Sequence, residues 1–325
     1  MENIHLHTGM PTFFGDKRYY TFNRHLRDTF GEKVFKVSLD AGFTCPNRDG
    51  TVGYGGCIYC SPRGSGDFAG KKSLSIREQF AFVKEMMAKK WPQARYLAYF
   101  QAYSNTYAPV TRLQEVYEEA LCEPGVVGVS LATRPDCLPG DVLDYLGELN
   151  RRTYLWVELG LQSIHDRTLK LIRRGHDYAT FLNGVEKLYR RGIRVCVHII
   201  IGLPEEGPEE IMATAREVAR MPVQGVKLHL LHVLRGTALA TLYDKRPFPL
   251  LSQKQYISLV ADILEILPPQ MVIHRLTGDG PPDDLIGPMW SRKKWEVLNA
   301  IELELVSRDS WQGKYHLSAG RQAVL

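Results

Sequence analysis

At 325 residues the chain is long for one ordinary domain and suits an α/β barrel with an extension. Apolar residues make up 44% of it, which supports a large core and argues against disorder. Lys and Arg number 41 against 36 acidic residues, and this formal charge of +5 permits an anionic partner such as RNA without demanding one.

The chain opens on a polar, His-containing segment, Met1 to Gly9, with none of the apolar run of a secretory signal. A helix is expected around Tyr20 to Thr29, inside an N-terminal extension of residues 1–33. Apolar, β-branched runs then alternate with amphipathic stretches. Strands are expected over 34–40, 95–101, 126–131, 154–160, 193–201 and 226–233. Helices are expected over 76–91, 110–122, 141–150, 178–190, 208–220 and 253–267. The strand runs read as nearly continuously apolar, which suits a parallel sheet covered by helices. Ser252 stands as an N-cap, and Pro208 sits where a first helical turn tolerates proline. Six successive β-α units over 34–268 predict a partial (β/α)6 barrel of the TIM type, although periodicity alone leaves a doubly wound sheet open. Both architectures place their chemistry at the strand C-termini. After Pro268 the pattern breaks into a strand (271–276), a Gly/Pro/Asp loop (277–287) and a helix (293–307). This reads as a C-terminal extension, 269–325, that caps the barrel. No run reaches the ~18 apolar residues of a membrane helix, so a cytoplasmic protein without membrane attachment is expected. In that compartment thiols stay reduced, and six cysteines read as ligands, catalysts or core fillers.

Three of those cysteines share the loop after the first strand. Cys45-Pro46-Asn47-Arg48-Asp49-Gly50 is followed by a Gly-rich run to Gly56-Cys57-Ile58-Tyr59-Cys60. A loop of this kind can wrap its thiolates around an inorganic cluster, which prefers such ligands. Three thiolates leave one iron of a [4Fe–4S] cubane open to an exogenous ligand. A structural zinc site would need a fourth ligand, which the residues flanking Cys60 do not supply, although His25 or a distant His could. Cys122, Cys137 and Cys196 read as core cysteines.

At these residues the chain resembles the radical S-adenosylmethionine (SAM) superfamily, in the branch that holds the catalytic subunit of Elongator and oxygen-independent coproporphyrinogen oxidase. Further matches are Thr133-Arg134-Pro135-Asp136, Glu158-Leu159-Gly160-Leu161-Gln162-Ser163, Arg174-Gly175-His176, and His198 through Gly202-Leu203-Pro204. The Cys-Pro-Asn-Arg-Asp-Gly block and Gly64-Ser65-Gly66-Asp67-Phe68-Ala69-Gly70 are similar to a bacterial family of small Elongator-like proteins lacking the acetyltransferase domain. The resemblance implies that Cys45, Cys57 and Cys60 hold the [4Fe–4S] cluster, with SAM on the open iron. It implies reductive cleavage of SAM to a 5′-deoxyadenosyl radical, fed by a low-potential donor such as flavodoxin or ferredoxin. Tyr59 would pack on the adenine. Gln162 and Arg174 would contact the ribose and carboxylate of SAM, with Glu158 a second ribose candidate or else a buried ion-pair partner.

The chain departs from the family in two places. Where many relatives carry Gly-Gly after the second strand it reads Gln101-Ala102-Tyr103-Ser104-Asn105-Thr106, making Ser104 and Asn105 candidates for the SAM amino group. Ala132 replaces an acid two residues before Arg134. The family link implies tRNA as substrate, at C5 of the wobble uridine or its substituent. The alternatives are a tetrapyrrole or other small molecule, or a non-catalytic metal-binding regulator. Arg292-Lys293-Lys294-Trp295 offers charge beside an aromatic surface for a base. Arg18, Arg24 and Arg27 are candidate phosphate contacts, and His274, Arg275 and Asp279 are candidates for the open end of the barrel. Each basic group also reads as a solvated helix face, and Trp295 as a core residue.

Overall fold

The computed structural model describes residues 9–88 and 94–316. The strands are β1 (Val34–Leu39), β2 (Arg95–Phe100), β3 (Val126–Thr133), β4 (Tyr154–Gln162), β5 (Arg194–Ile201), β6 (Gly225–Leu230), β7 (Val233–Leu234), β8 (Val272–Arg275) and β9 (Leu285–Gly287). The helices are α1 (Phe22–Phe30), α2 (Ile76–Ala88), α3 (Val110–Leu121), α4 (Gly140–Arg152), α5 (Asp166–Leu171), α6 (Tyr178–Tyr189), α7 (Pro208–Arg220), α8 (Ala238–Lys245), α9 (Gln253–Ile266) and α10 (Lys294–Ser307). Among the described residues, seven strands pair in parallel in the order β1-β2-β3-β4-β5-β6-β8, curled into a partial barrel. The six expected β-α units are present. The strand after Pro268 adds a seventh by pairing with β6, so the region expected as an extension takes part in the sheet. The expected strand over 226–233 stops at Leu230, and its last residues form β7, antiparallel to β9. Helices α5 and α8, of six and eight residues, are too short to show a helical period in sequence. The final residues of the expected helix 76–91, and residues 1–8 and 317–325, lie outside the described residues. No described helix is long and apolar enough to cross a membrane.

Local chemistry sets the helix ends. Ser252 accepts from Gln255 N while the Gln255 side chain accepts from Ser252 N, a closed capping box for α9. Pro208 occupies the first turn of α7. Thr21 caps α1, and Gly31, in the left-handed region, ends it.

The strands are not uniformly apolar; they alternate. Outward residues such as Val37, Leu39, Val129, Leu131, Val157, Leu159, Val195, Val197, Val226 and Leu228 meet the helices in the main core. The inward set is layered. At the N-terminal end of the barrel, Val34, Leu97, Trp156, Cys196 and Val272 pack with Phe22 and Leu26 of α1, which closes that end. Above them lies a polar layer of Lys36, Tyr99, Ser130, Glu158, His198 and Lys227. The segments around Tyr20 and Gln312 are tied together beside this frame. Buried Gln312 donates to Pro268 O and Met271 O and accepts from Tyr20 N, and Arg18 donates to Ser310 O. Arg18 is therefore a buried structural residue and not a phosphate contact. Arg24, paired with Asp28 on α1, and Arg27 on the same helix belong to the closed end of the barrel.

Candidate active site

The loop between β1 and α2 crosses the C-terminal end of the barrel and carries Cys45, Cys57 and Cys60. All three line one cleft of about 290 Å³, together with Tyr59, Ser104, Glu158, Gln162, Arg174 and Arg275. The loop is held by its own polar residues. Arg48 donates to Cys60 O (3.3 Å) and Ser61 O (2.5 Å), and Asn47 donates to Arg173 O (2.7 Å). Ile58 N donates to Ile172 O at 3.0 Å, which fixes the loop on the segment after α5.

Donors converge on the sulfurs. Arg174 Nη1 lies 3.7 Å and Asn47 Nδ2 3.6 Å from Cys57 Sγ, and Ser65 Oγ is 3.7 Å from Cys60 Sγ. Burial pushes the Cys57 thiol up, but Arg174 and Arg134 more than offset this and lower it below its ordinary value. Burial raises the Cys60 thiol, and the neighbouring Cys57 adds to the rise. Three thiols on one cleft wall, with N–H and O–H donors aimed at them, fit a cubane with one open corner; such hydrogen bonds also tune a cluster's potential. Among the described residues no three His, Cys, Asp or Glu side chains gather closely enough to hold a single ion. His25 is not a fourth ligand. Its ring bonds Tyr154 OH (2.7 Å) and Tyr20 OH (3.2 Å) at the closed end of the barrel.

Arg174 is buried, and its Nη2 donates to Gly160 O at 2.7 Å while its Nε has no protein partner. Its carbonyl accepts from Arg134 Nη1 at 2.7 Å, and Arg134 is itself clamped by a two-point pair with Asp136 (2.9 and 2.6 Å). The Thr-Arg-Pro-Asp segment thus sets the position of Arg174. Gln162 ends β4 at φ +77°, where the pairing with β5 slips, a strained backbone of the kind that collects at functional sites.

Two of the expected contacts are engaged by the protein itself. Glu158 lies deep in the barrel with both oxygens taken: Lys36 (2.6 Å) and Ser130 (2.7 Å) on Oε1, His198 (2.8 Å) and Lys227 on Oε2. Burial alone would raise its carboxyl, but Lys227 and Lys36 hold it well below the usual carboxylate range. These contacts make it a buried ion-pair partner, as in the alternative reading. Asn105 does not line the cleft; its Nδ2 donates to Phe100 O, Ala102 O and Ala132 O, tying the ends of β2 and β3.

Lys293, Lys294 and Trp295 also stand outside the cleft. Lys293 pairs with Glu296 at the surface, and Lys294 pairs with Asp279 on the cleft rim at 2.6 Å. Trp295 is 75% exposed and is not a core residue. Cys137 and Cys196 are buried as expected, but Cys122, at the end of α3, is exposed. Sequence reading missed the roles of Asn47 and Arg48, and it missed Lys36, Tyr99, Lys227 and His229. The alternating positions Val34-Phe35-Lys36-Val37-Ser38-Leu39 carried the signal for the inward polar set.

Residues 45–218 match the model of the radical SAM superfamily, and residues 223–307 match that of its C-terminal domain. The chain belongs to the radical SAM superfamily. As such it is a radical SAM enzyme whose cofactors are a [4Fe–4S] cluster and SAM. YtqA of Bacillus subtilis is 58% identical to this radical SAM chain over 95% of its length and 96% of the relative's. The tRNA uridine(34) acetyltransferase of Dehalococcoides mccartyi is 31% identical over 48% of this chain and 34% of that one. The archaeal Methanocaldococcus infernus Elp3 structure, lacking residues 1–46, matches the fold with TM-score 0.66 at 18% identity, over 86% of this chain and 64% of that one.

Proposed function

We propose that this radical SAM enzyme acts on tRNA, at C5 of the wobble uridine or on the substituent there. Cys45, Cys57 and Cys60 would hold the cluster in this reading, with SAM beside it in the same cleft. When bound and reduced, the pair supplies a 5′-deoxyadenosyl radical, which takes hydrogen from an unactivated carbon. The protein's own residues bind and orient. Arg174 offers a fixed guanidinium, already pre-positioned by Arg134, to the SAM carboxylate. Gln162 faces the ribose, Tyr59 the adenine, and Ser104 the amino group, all from the same cleft. The packed layer around Trp156 and Phe22 shuts the far end of the barrel against water. A low-potential carrier such as flavodoxin or ferredoxin supplies the electron.

The observation that carries the tRNA reading is the 31% identity to a relative whose name places its action on tRNA uridine 34. The test compares modified nucleosides in total tRNA from cells with the gene, without it, and with a Cys57→Ala copy. A change in the wobble uridine that only the intact gene reverses is the expected result. An unchanged wobble nucleoside in the deletion strain removes tRNA as the substrate.

A further inference from the structure

Among the described residues, the cleft holds a guanidinium with no protein group to answer it. Its acids are engaged: Glu158 on both oxygens as described, Asp279 by Lys294, and Asp67 by Ser61 Oγ (2.8 and 3.0 Å). Its other arginines are engaged too: Arg48 on loop carbonyls, Arg134 on Asp136 and the Arg174 carbonyl, Arg174 on Cys57 and Gly160. Arg275, the cross-strand partner of Lys227, lines the cleft and forms no hydrogen bond or ion pair among the described residues. Beside it, His229 Nε2 is buried without a partner, its ring 5.2 Å from that of His198. Tyr99, Lys227, His229 and His232 line the same cleft as Arg275.

An unanswered guanidinium next to an unpartnered imidazole nitrogen calls for an anion. The shape of the site narrows the choice. Below the polar layer the barrel is shut, with the His274 ring stacked on Phe22 at 4.0 Å and set edge-on to Trp156 at 4.5 Å. A dead end admits a terminal group, whereas a backbone phosphodiester continues on both sides. The planar fork of arginine matches the two coplanar oxygens of a carboxylate.

We propose that Arg275 and His229 form a carboxylate subsite, and that the substrate group presented to the radical ends in a carboxylate. For the identity of the carrier this rests on the tRNA reading, where it means a wobble-uridine substituent with an acidic end.

The cluster-loaded, full-length protein is titrated with malonate and with malonamide by calorimetry, for wild type, Arg275→Gln and Arg275→Lys. Cluster absorbance and melting temperature verify that each variant is folded. The expected result is malonate binding without malonamide binding, weakened about tenfold in Arg275→Gln and partly restored in Arg275→Lys. Equal affinity of wild type and Arg275→Gln, equal affinity for the amide, or no malonate binding overturns the subsite. A second arm uses anticodon stem-loops whose C5 substituent ends in a carboxylate or in its primary amide. A preference for the acid that Arg275→Gln abolishes extends the subsite to tRNA. If malonate binds as expected but neither stem-loop is turned over, the subsite stands and the wobble-uridine reading falls.

Discussion

Single residues divide here into those proposed to meet the cofactor and those that hold the barrel. Arg174 does the first through a buried guanidinium whose position is set by Gly160 O and Cys57. Arg174→Met is expected to weaken SAM binding to the clustered protein by about 2 kcal/mol, the scale of a charge-assisted hydrogen bond, read by calorimetry. Arg174→Lys should recover little of it, because a point charge cannot reproduce the fork. Glu158 does the second. Glu158→Gln leaves Lys36 and Lys227 facing each other without their shared carboxylate, and a loss of about 3–5 kcal/mol in denaturant unfolding is expected. A variant as stable as the wild type would show that the network contributes no net stability. The motif around Glu158 was legible in the sequence, but its role was not. A glutamate on a barrel strand can point up to a ligand or across to lysines on β1 and β6, and only the fold decides which.

At the scale of the element, β4 carries both tasks on alternate residues. Gly160 lies between them: a Cβ there would stand 2.5 Å from Arg174 Nη2 and 2.7 Å from Gln162 Nε2. Gly160→Ala should therefore displace both side chains and weaken SAM binding while the strand still pairs; unchanged SAM affinity would separate Arg174 and Gln162 from the cofactor. The join between the segments around Tyr20 and Pro268 depends on a different residue. Gln312 answers four backbone groups from two distant segments, so Gln312→Ala strands them in the interior and should cost about 2 kcal/mol in unfolding free energy. Such long-range ties leave no periodic trace, which is why Gln312 was not legible in sequence. The β-α units were legible because each buries one apolar face at a regular spacing. The partnership of β8 with β6 was hidden because the long connection through β7, α8 and α9 breaks the repeat.

For the molecule as a whole, the buried histidines set its response to acid. Burial lowers His25, His198 and His232 to about 4 and His176 and His274 to about 3, against an ordinary value of 6.5. Below pH 6.5 the unfolded chain takes up protons that the folded chain refuses. Their contribution is thus complete above that pH and is lost as pH falls toward 4, by at most about 1.4 kcal/mol per pH unit for each group. The urea midpoint of the cluster-free protein should accordingly be lower near pH 5 than near pH 7; a midpoint indifferent to pH over that range would contradict the burial of these rings. The same architecture explains how far the sequence could be read. The cluster loop is contiguous, so its three cysteines stand out, whereas the cleft gathers Tyr99, His229 and Arg275 from three separate strands that meet only when the sheet curls. The central claim is that three thiolates in one loop leave an iron open for SAM. Anaerobically purified protein, reconstituted with iron and sulfide and reduced with dithionite, should convert SAM to 5′-deoxyadenosine, and Cys57→Ala should not. A fully clustered wild-type sample that leaves SAM intact would contradict the account.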